Sequence, residues 1–154
     1  MIVYPKTQEE NRFLRAWLEN QLEDYRSGDK SVCIAVERNK KLAAVTAWDN
    51  WTGMDVEVCI AAIDPRWATR QTIRTLMAYP FLQLKCQRIT ARIYKSNKRS
   101  RRFVEGIGFK HEGTHRHAGK NLETILSFGF TKADYLERYV KGSIRGKKVT
   151  TCAA

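Results

Sequence analysis

Apolar and polar positions change period several times along the chain, and each change predicts a new element. Behind Thr7, a suitable helix N-cap, the apolar side chains recur at helical spacing; they are Phe13, Leu14, Trp17, Leu18 and Leu22. This pattern predicts an amphipathic helix or helix pair that ends before residue 29. Alternating segments follow, and they predict antiparallel strands over residues 31–37, 42–48 and 55–63.

A helical period returns between residues 66 and 84 and predicts a crossover helix. Ile73, Leu76 and Met77 share one face of it, and Pro80 would kink or end it. The next alternating segment is Arg88–Tyr94. Because a strand, a helix and a strand follow one another within roughly 35 residues, strands 55–63 and 88–94 are expected to lie side by side and parallel. The pattern therefore predicts an α/β fold with a mixed sheet.

The most compact predicted unit covers residues 89–116. Asn97 can cap a short basic helix over residues 98–105, which Gly106 and Gly108 would stop. Two more strands, over 109–117 and 123–130, are joined by a turn at 118–121, and a short helix follows over 133–140. The sequence predicts one domain over residues 1–140 and a basic C-terminal tail over residues 141–154.

Composition adds a strong charge and excludes some classes of protein. The net charge is +12 and the pI about 9.8, and such a field attracts anions: nucleic acid, an acidic protein or a phosphate-rich cofactor. The alternative is an ordinary solvated basic surface, since charge alone does not select a partner. No apolar run approaches membrane-spanning length and no signal peptide is recognisable, which predicts a protein of the cytoplasm or of a virus particle and no membrane partner. The cysteines form no CxxC pair, so we expect reduced, buried thiols and no metal site.

Histidines supply one further cluster. His111, His115 and His117 would share a strand face by alternation. Metal binding would need a fourth ligand and a pocket, so a place on the sheet surface or at the edge of a substrate site is the favoured interpretation.

Two places at the carboxyl ends of the predicted parallel strands could bind a ligand. The helix start at residues 63–72 would present free N–H groups to an anion, with charge from Arg66 and Arg70; an ordinary helix start with surface arginines is the alternative. Asn97 follows the neighbouring strand, and its amide could pair with an extended ligand. The alternative is that Asn97 only caps its helix.

At this point the residues match a family. The matching run consists of Asn97, Ser100, Phe103, Gly108, Phe109, Glu112, Gly113 and Arg116. With these spacings the chain resembles, over residues 31–130, the GNAT superfamily of acyl-CoA-dependent N-acetyltransferases. It looks closest to the branch that acetylates ribosomal-protein N-termini and to a subset common in bacteriophage and prophage genomes.

The resemblance implies a GNAT-like, mostly antiparallel sheet with a parallel, splayed strand pair and flanking helices. Acetyl-CoA, as co-substrate, would lie between the parallel strands and give its acetyl group directly to a primary amine of a protein or peptide. The implied cofactor contacts are Ala61, Ile63, Trp67, Ala68, Thr69, Arg70, Gln71, Asn97 and Phe103. Glu57 would act as the base that takes the amine proton, and the alternative is a strand glutamate paired with a lysine or arginine.

Two departures from the family pattern leave other functions open. The family's pyrophosphate loop has glycines that let the phosphates approach the backbone, whereas residues 66–71 contain none, and the bulky Trp67 could crowd the phosphates. Many members also have a tyrosine that serves as general acid to the departing thiolate. Val104 stands at that position here, and Tyr94 or Ser96 could substitute. These departures favour a catalytically silent GNAT-fold protein that takes part in viral assembly or binds a partner. A third hypothesis is a charge-driven nucleic-acid-binding module that uses the charged residues 98–102 and 144–148.

Overall fold

One seven-stranded sheet organises the protein, whose computed structural model describes residues 1–141. The strands are β1 (Ile2–Val3), β2 (Val32–Arg38), β3 (Lys41–Asp49), β4 (Asp55–Ala62), β5 (Arg88–Tyr94), β6 (Lys110–His115) and β7 (Ile125–Thr131). Their order is β1-β2-β3-β4-β5-β7-β6, and only β4 and β5 are parallel. The predicted mixed sheet and parallel pair are confirmed, whereas β1 is too short to leave a pattern in the sequence.

The helices lie in the predicted parts of the chain, although the first ends at Gln21, several residues before the predicted limit. They are α1 (Gln8–Gln21), α2 (Arg70–Ala78), α3 (Lys98–Ile107) and α4 (Lys132–Tyr135), with π-helical turns at Tyr79–Gln83 and Leu136–Lys141. Thr7 caps α1 as predicted, because its hydroxyl accepts the Glu10 N–H at 3.1 Å. Pro80 lies just after α2 and contributes to its end. The predicted tail lies outside the described residues apart from Lys141.

The helices cover the sheet from two sides, so the core has two parts. On one side, α2, α3 and the C-terminal segment bury the larger cluster, which includes Leu76, Phe81, Ile89 and Phe130. On the other side, α1 packs through Leu14 and Leu18 on β2, β3 and β4. Alternation along the strands supplies both faces, because successive side chains point to opposite sides of a sheet.

Two sequence predictions about this region are wrong. Gly106 does not stop α3, which continues to Ile107 and ends at Gly108. Gly108 has φ +125°, which L side chains rarely adopt, whereas Gly106 lies inside the helix. The histidines do not share one face, because β6 contains a bulge between His111 and Gly113 that shifts the register.

Residues 1–141 contain neither a metal-binding cluster nor a membrane-spanning helix. No group of three His, Cys, Asp or Glu side chains is placed to hold a metal ion, and no helix is long and apolar enough to cross a membrane. Cys33, Cys59 and Cys86 are free thiols at buried or half-buried positions, as the sequence predicts. Burial raises the pKa of both Cys33 and Cys59 to about 12, so these thiols are protonated at neutral pH.

Candidate functional site

The parallel strands separate and leave a gap in the sheet. β4 and β5 pair only where Asp55, Val56 and Glu57 face Arg88, Ile89 and Thr90. Beyond this point β4 stays paired with β3 to Ala62, and β5 stays paired with β7 to Tyr94. Each strand therefore keeps its other neighbour while the two move apart, which creates a wedge-shaped opening.

The β4 side of this gap has unpaired backbone groups. The Ile63 N–H donates to the Ala43 carbonyl at 2.9 Å, so this residue uses the β3 side of the ladder. Because N–H groups alternate along an antiparallel ladder, those of Ile60 and Ala62 point into the gap. Such an edge can pair with an extended, amide-containing ligand.

Helix α2 begins at the same end of β4. Thr69 caps it by accepting the Thr72 N–H at 3.1 Å. The N–H groups of Arg70 and Gln71, in the first turn, have no carbonyl partner within the helix. Arg66, by contrast, pairs with Asp64 at 2.9 Å, and this contact lowers the pKa of the Asp64 carboxyl to about 2. Of the two predicted arginines, Arg70 therefore lies at the anion-binding end without a carboxylate partner among residues 1–141.

Trp67 does not crowd the helix start, contrary to the sequence expectation. The short turn Pro65–Trp67 directs its indole into the core, where it is 4% exposed. The ring lies 5.6 Å from that of Phe103 on α3. Trp67 therefore anchors the loop before α2 against α3.

Asn97 caps α3 from the other side of the gap. Its Oδ1 accepts the Ser100 N–H at 3.1 Å, which confirms the capping role considered for it. The cap uses only the oxygen, so Nδ2 keeps its two donors. Contact with a cofactor stays a prediction.

Carboxylates gather on the α1 side of the gap. Glu57 is the last β4 residue paired with β5, is half-buried, and has no hydrogen bond or ion pair from its side chain among the described residues. Asp49 is its direct cross-strand neighbour on β3. The Asp49 carboxylate accepts the Tyr25 hydroxyl and the Gly28 N–H, and burial together with this hydrogen bond raises the pKa of Tyr25. Glu57 therefore forms no ion pair with a lysine or arginine of residues 1–141, which was the alternative to a role as base.

An ion pair spans the gap on this same side. Lys120 Nζ lies 3.1 Å from Asp24 Oδ1, and the Lys120 N–H donates to the Tyr94 hydroxyl at the end of β5. Asp24 precedes Tyr25, which packs in the same cluster as Cys59 of β4. The Asp24–Lys120 bridge thus joins the segment over β4 to the loop over β5. Nothing in the sequence pattern signals this contact, since a long-range ion pair has no period.

Much of the family run has structural roles. Phe109 stacks on Phe130 with ring centres 5.1 Å apart, and Glu112 Oε2 lies 2.6 Å from Arg88 Nη2. A Cβ at Gly113 would lie 2.8 Å from the Ser127 hydroxyl, so a side chain there would require Ser127 to move. These residues hold β6 and β7 beside β5, and Asn97 is the member of the run at the gap.

Solved structures with a similar arrangement of strands and helices are known. A chimera of the spermidine N-acetyltransferase SpeG from Vibrio cholerae and hSSAT superposes with a TM-score of 0.70 at 17% identity, covering 88% of this chain and 99% of the other. The Vibrio cholerae enzyme in complex with CoA and spermine gives 0.66 at 16% identity, covering 88% of this chain and 97% of that one. This protein has the GNAT fold. No protein-family model and no curated protein matches the sequence.

The GNAT fold is thus established by shape, at identities that do not assign a branch. The ribosomal-protein branch and the bacteriophage subset stay predictions. So do the cytoplasmic or virion location, the acidic partner and the nucleic acid.

Proposed function

We propose that this protein is an acyl-CoA-dependent N-acetyltransferase. The observation that carries the proposal is the gap between β4 and β5, bordered by a free backbone edge on β4 and by the start of α2. These two features suit the two chemical parts of acetyl-CoA, since its amide-bearing pantetheine arm needs backbone partners and its pyrophosphate needs N–H donors. Trp67 has its indole buried in the core and does not line the open space at the start of α2.

Each part of the co-substrate would have its own contacts. The pantetheine arm would pair with the gap-facing groups of Ile60 and Ala62, because the predicted contacts Ala61 and Ile63 turn their backbone groups toward β3. The Asn97 amide would donate to the same arm. The residues that lead into α2, Ala68 and Thr69, and its first helical residues, Arg70 and Gln71, would hold the pyrophosphate with the charge of Arg70. Phe103 would form the apolar side of this groove.

Glu57 is the proposed base. Acetyl-CoA supplies an activated thioester, and only a neutral amine can attack its carbonyl carbon. A carboxylate at the narrow end of the gap can accept the ammonium proton before the neutral nitrogen attacks the carbonyl carbon. The C–S bond then breaks, and the sulfur leaves as the thiolate of CoA. An N–H of Ile60 or Ala62 would stabilise the negative charge that develops on the carbonyl oxygen. Tyr94 would be the proton donor to the thiolate, because Val104 has no acidic group, whereas the Ser96 hydroxyl already donates to Glu123.

The acceptor is proposed to be a small cationic amine of the polyamine class. Asp24, Asp49 and Glu57 lie on the α1 side of the gap, and carboxylates grouped in this way attract ammonium groups. The structural neighbour with spermine in its complex binds such an amine. A protein or peptide amine, which the sequence predicts, is the alternative acceptor for the same assay.

Acetyl-CoA is expected to raise the melting temperature. At about a hundred times its Kd, a ligand that binds only the native state adds about 2.7 kcal/mol to the free energy of unfolding, or about 5–10 °C for a domain of this size. Differential scanning fluorimetry measures the shift, with ATP at equal concentration as the control for charge alone. No shift at millimolar acetyl-CoA would contradict the proposal and favour the catalytically silent alternative.

Replacing Lys120 with Met is expected to lower the KM for a polyamine by about two- to fivefold, because the Asp24 carboxylate loses its lysine partner and becomes available to the substrate. The effect is small because an ion pair in contact with solvent is weak. Steady-state kinetics with spermidine and with an uncharged aromatic amine measures the effect, which should be confined to spermidine. Lys110→Met is the matched control, because Lys110 also forms an exposed pair, with Asp134 at 3.1 Å. An unchanged KM for spermidine would remove this bridge from acceptor binding.

A further inference from the structure

A basic cleft opens beside the proposed pyrophosphate site. It has a volume of about 420 Å³ and lies between the start of α2, the outer face of α3 and the C-terminal turn Leu136–Lys141. Arg70, Arg102 and Arg138 line it, together with apolar parts of Ile73 and Phe103. Because Arg70 belongs to the first turn of α2, the cleft is continuous with that helix start.

No carboxylate pairs with the arginines of this cleft within the part of the chain that the structure describes. None of the ion pairs among residues 1–141 involves Arg70, Arg102 or Arg138. Arg70 donates to the Arg138 carbonyl and Arg138 to the Gly106 carbonyl, which orients both guanidinium groups without neutralising them. Like charges gathered around one cleft repel each other, so an anion bound between them is stabilised.

An aromatic ring further fixes this arrangement. The guanidinium carbons of Arg70 and Arg138 lie 5.0 and 6.0 Å from the centre of the Tyr139 ring, and the Tyr139 hydroxyl donates to the Ile107 carbonyl at 2.8 Å. The C-terminal turn therefore joins α2 to α3, and the guanidinium donors of Arg70 and Arg138 are oriented at the edge of the basic cleft. Side chains held in place before binding lose little entropy when a ligand arrives.

We propose that Arg102 and Arg138 bind the 3′-phosphate of CoA and make the protein discriminate against dephospho-CoA. This inference rests on the proposed function. CoA carries, besides its pyrophosphate, one phosphomonoester, which has a charge of about −1.5 to −2 near neutral pH. Arginine matches such a group because its planar donors form paired, charge-assisted hydrogen bonds. A cleft next to the pyrophosphate site, with three guanidinium groups and an apolar wall for a base, suits the 3′-phosphorylated adenosine end of CoA.

Isothermal titration of the protein over residues 1–154 with CoA and with dephospho-CoA tests the proposal. The wild type is expected to bind CoA about tenfold to a hundredfold more tightly, as the loss of charged hydrogen bonds predicts. Arg102→Gln should weaken CoA by about tenfold and leave dephospho-CoA unchanged, so that the ratio between the two ligands falls. Its side chain forms no hydrogen bond among the described residues, so this variant should fold.

Controls separate this proposal from the proposed function. Arg99→Gln removes the same charge from an exposed position on the same helix outside the cleft, and should keep the wild-type ratio. Arg138→Gln should act like Arg102→Gln, with melting curves to verify its fold. Equal binding of CoA and dephospho-CoA by the wild type would overturn the 3′-phosphate site while the enzyme proposal stands. Failure to bind either ligand would overturn both, and an equal effect of Arg99→Gln would reduce the role of Arg102 to general surface charge.

Discussion

Replacing Glu57 with Gln is expected to lower kcat/KM by about a hundredfold to ten-thousandfold, the usual contribution of a general base. Glutamine keeps the shape of the side chain but cannot take the ammonium proton. The residue lies where β4 and β5 begin to separate, and its carboxylate has no partner among the described residues, so the substitution breaks no ion pair there. Binding of acetyl-CoA, followed by its melting-temperature shift, should be unchanged.

The pH dependence gives this prediction a second readout. An alkylamine has a pKa near 10, so the fraction of neutral amine rises with pH, and the deficit of Glu57→Gln should shrink between about pH 7 and 9.5. Glu37→Gln on β2 is the control, since this glutamate lies on a strand away from the gap. A variant with wild-type turnover across this range would remove Glu57 from the base role.

Trp67→Ala is expected to cost about 3–5 kcal/mol of unfolding free energy, because a large buried aromatic is removed and its cavity cannot fully collapse. Trp67 is 4% exposed and packs on Phe103. This contact ties the loop before α2 to α3, so its loss should also weaken acetyl-CoA binding. Urea denaturation measures the first effect, and titration of the folded variant measures the second.

Trp51→Ala is the matched control for this substitution. Trp51 is 60% exposed, and its removal should change the unfolding free energy by about 1 kcal/mol or less. Equal losses at the two positions would show that the Trp67 indole is not an anchor. The buried position of Trp67 also explains how a loop without glycine leaves room beside the helix start.

Local patterns predicted most of the elements correctly. β5 has the bounds that alternation predicts, and Thr7 and Asn97 cap their helices as their side chains suggest. Errors arose where a local rule competed with another constraint. Two glycines near the end of α3 both suggested a stop, but only Gly108 has the positive φ that a stop requires. Alternation of the histidines failed because a bulge adds a residue to one strand.

The candidate site divides in the same way. Its backbone part, the parallel pair and the helix that follows β4, was predictable, because a crossover has a short sequence signature. The direction of the Trp67 side chain was not, since bulk alone does not say whether an indole turns toward the core or toward a ligand. Asp49 was missed as well, because its place beside Glu57 depends on the register of β3 and β4.

The sequence by itself determined the order of helices and strands, the parallel pair and the capped helix at Asn97, since these depend on hydrophobic period and on backbone chemistry within a few residues. Only the tertiary structure decided which distant side chains meet. Arg70 and Arg138 are 68 positions apart, yet the C-terminal turn brings them to one cleft. Asp24 and Lys120 likewise meet across the gap. Such contacts arise from the packing of whole elements, and charged surface residues leave no periodic trace of it.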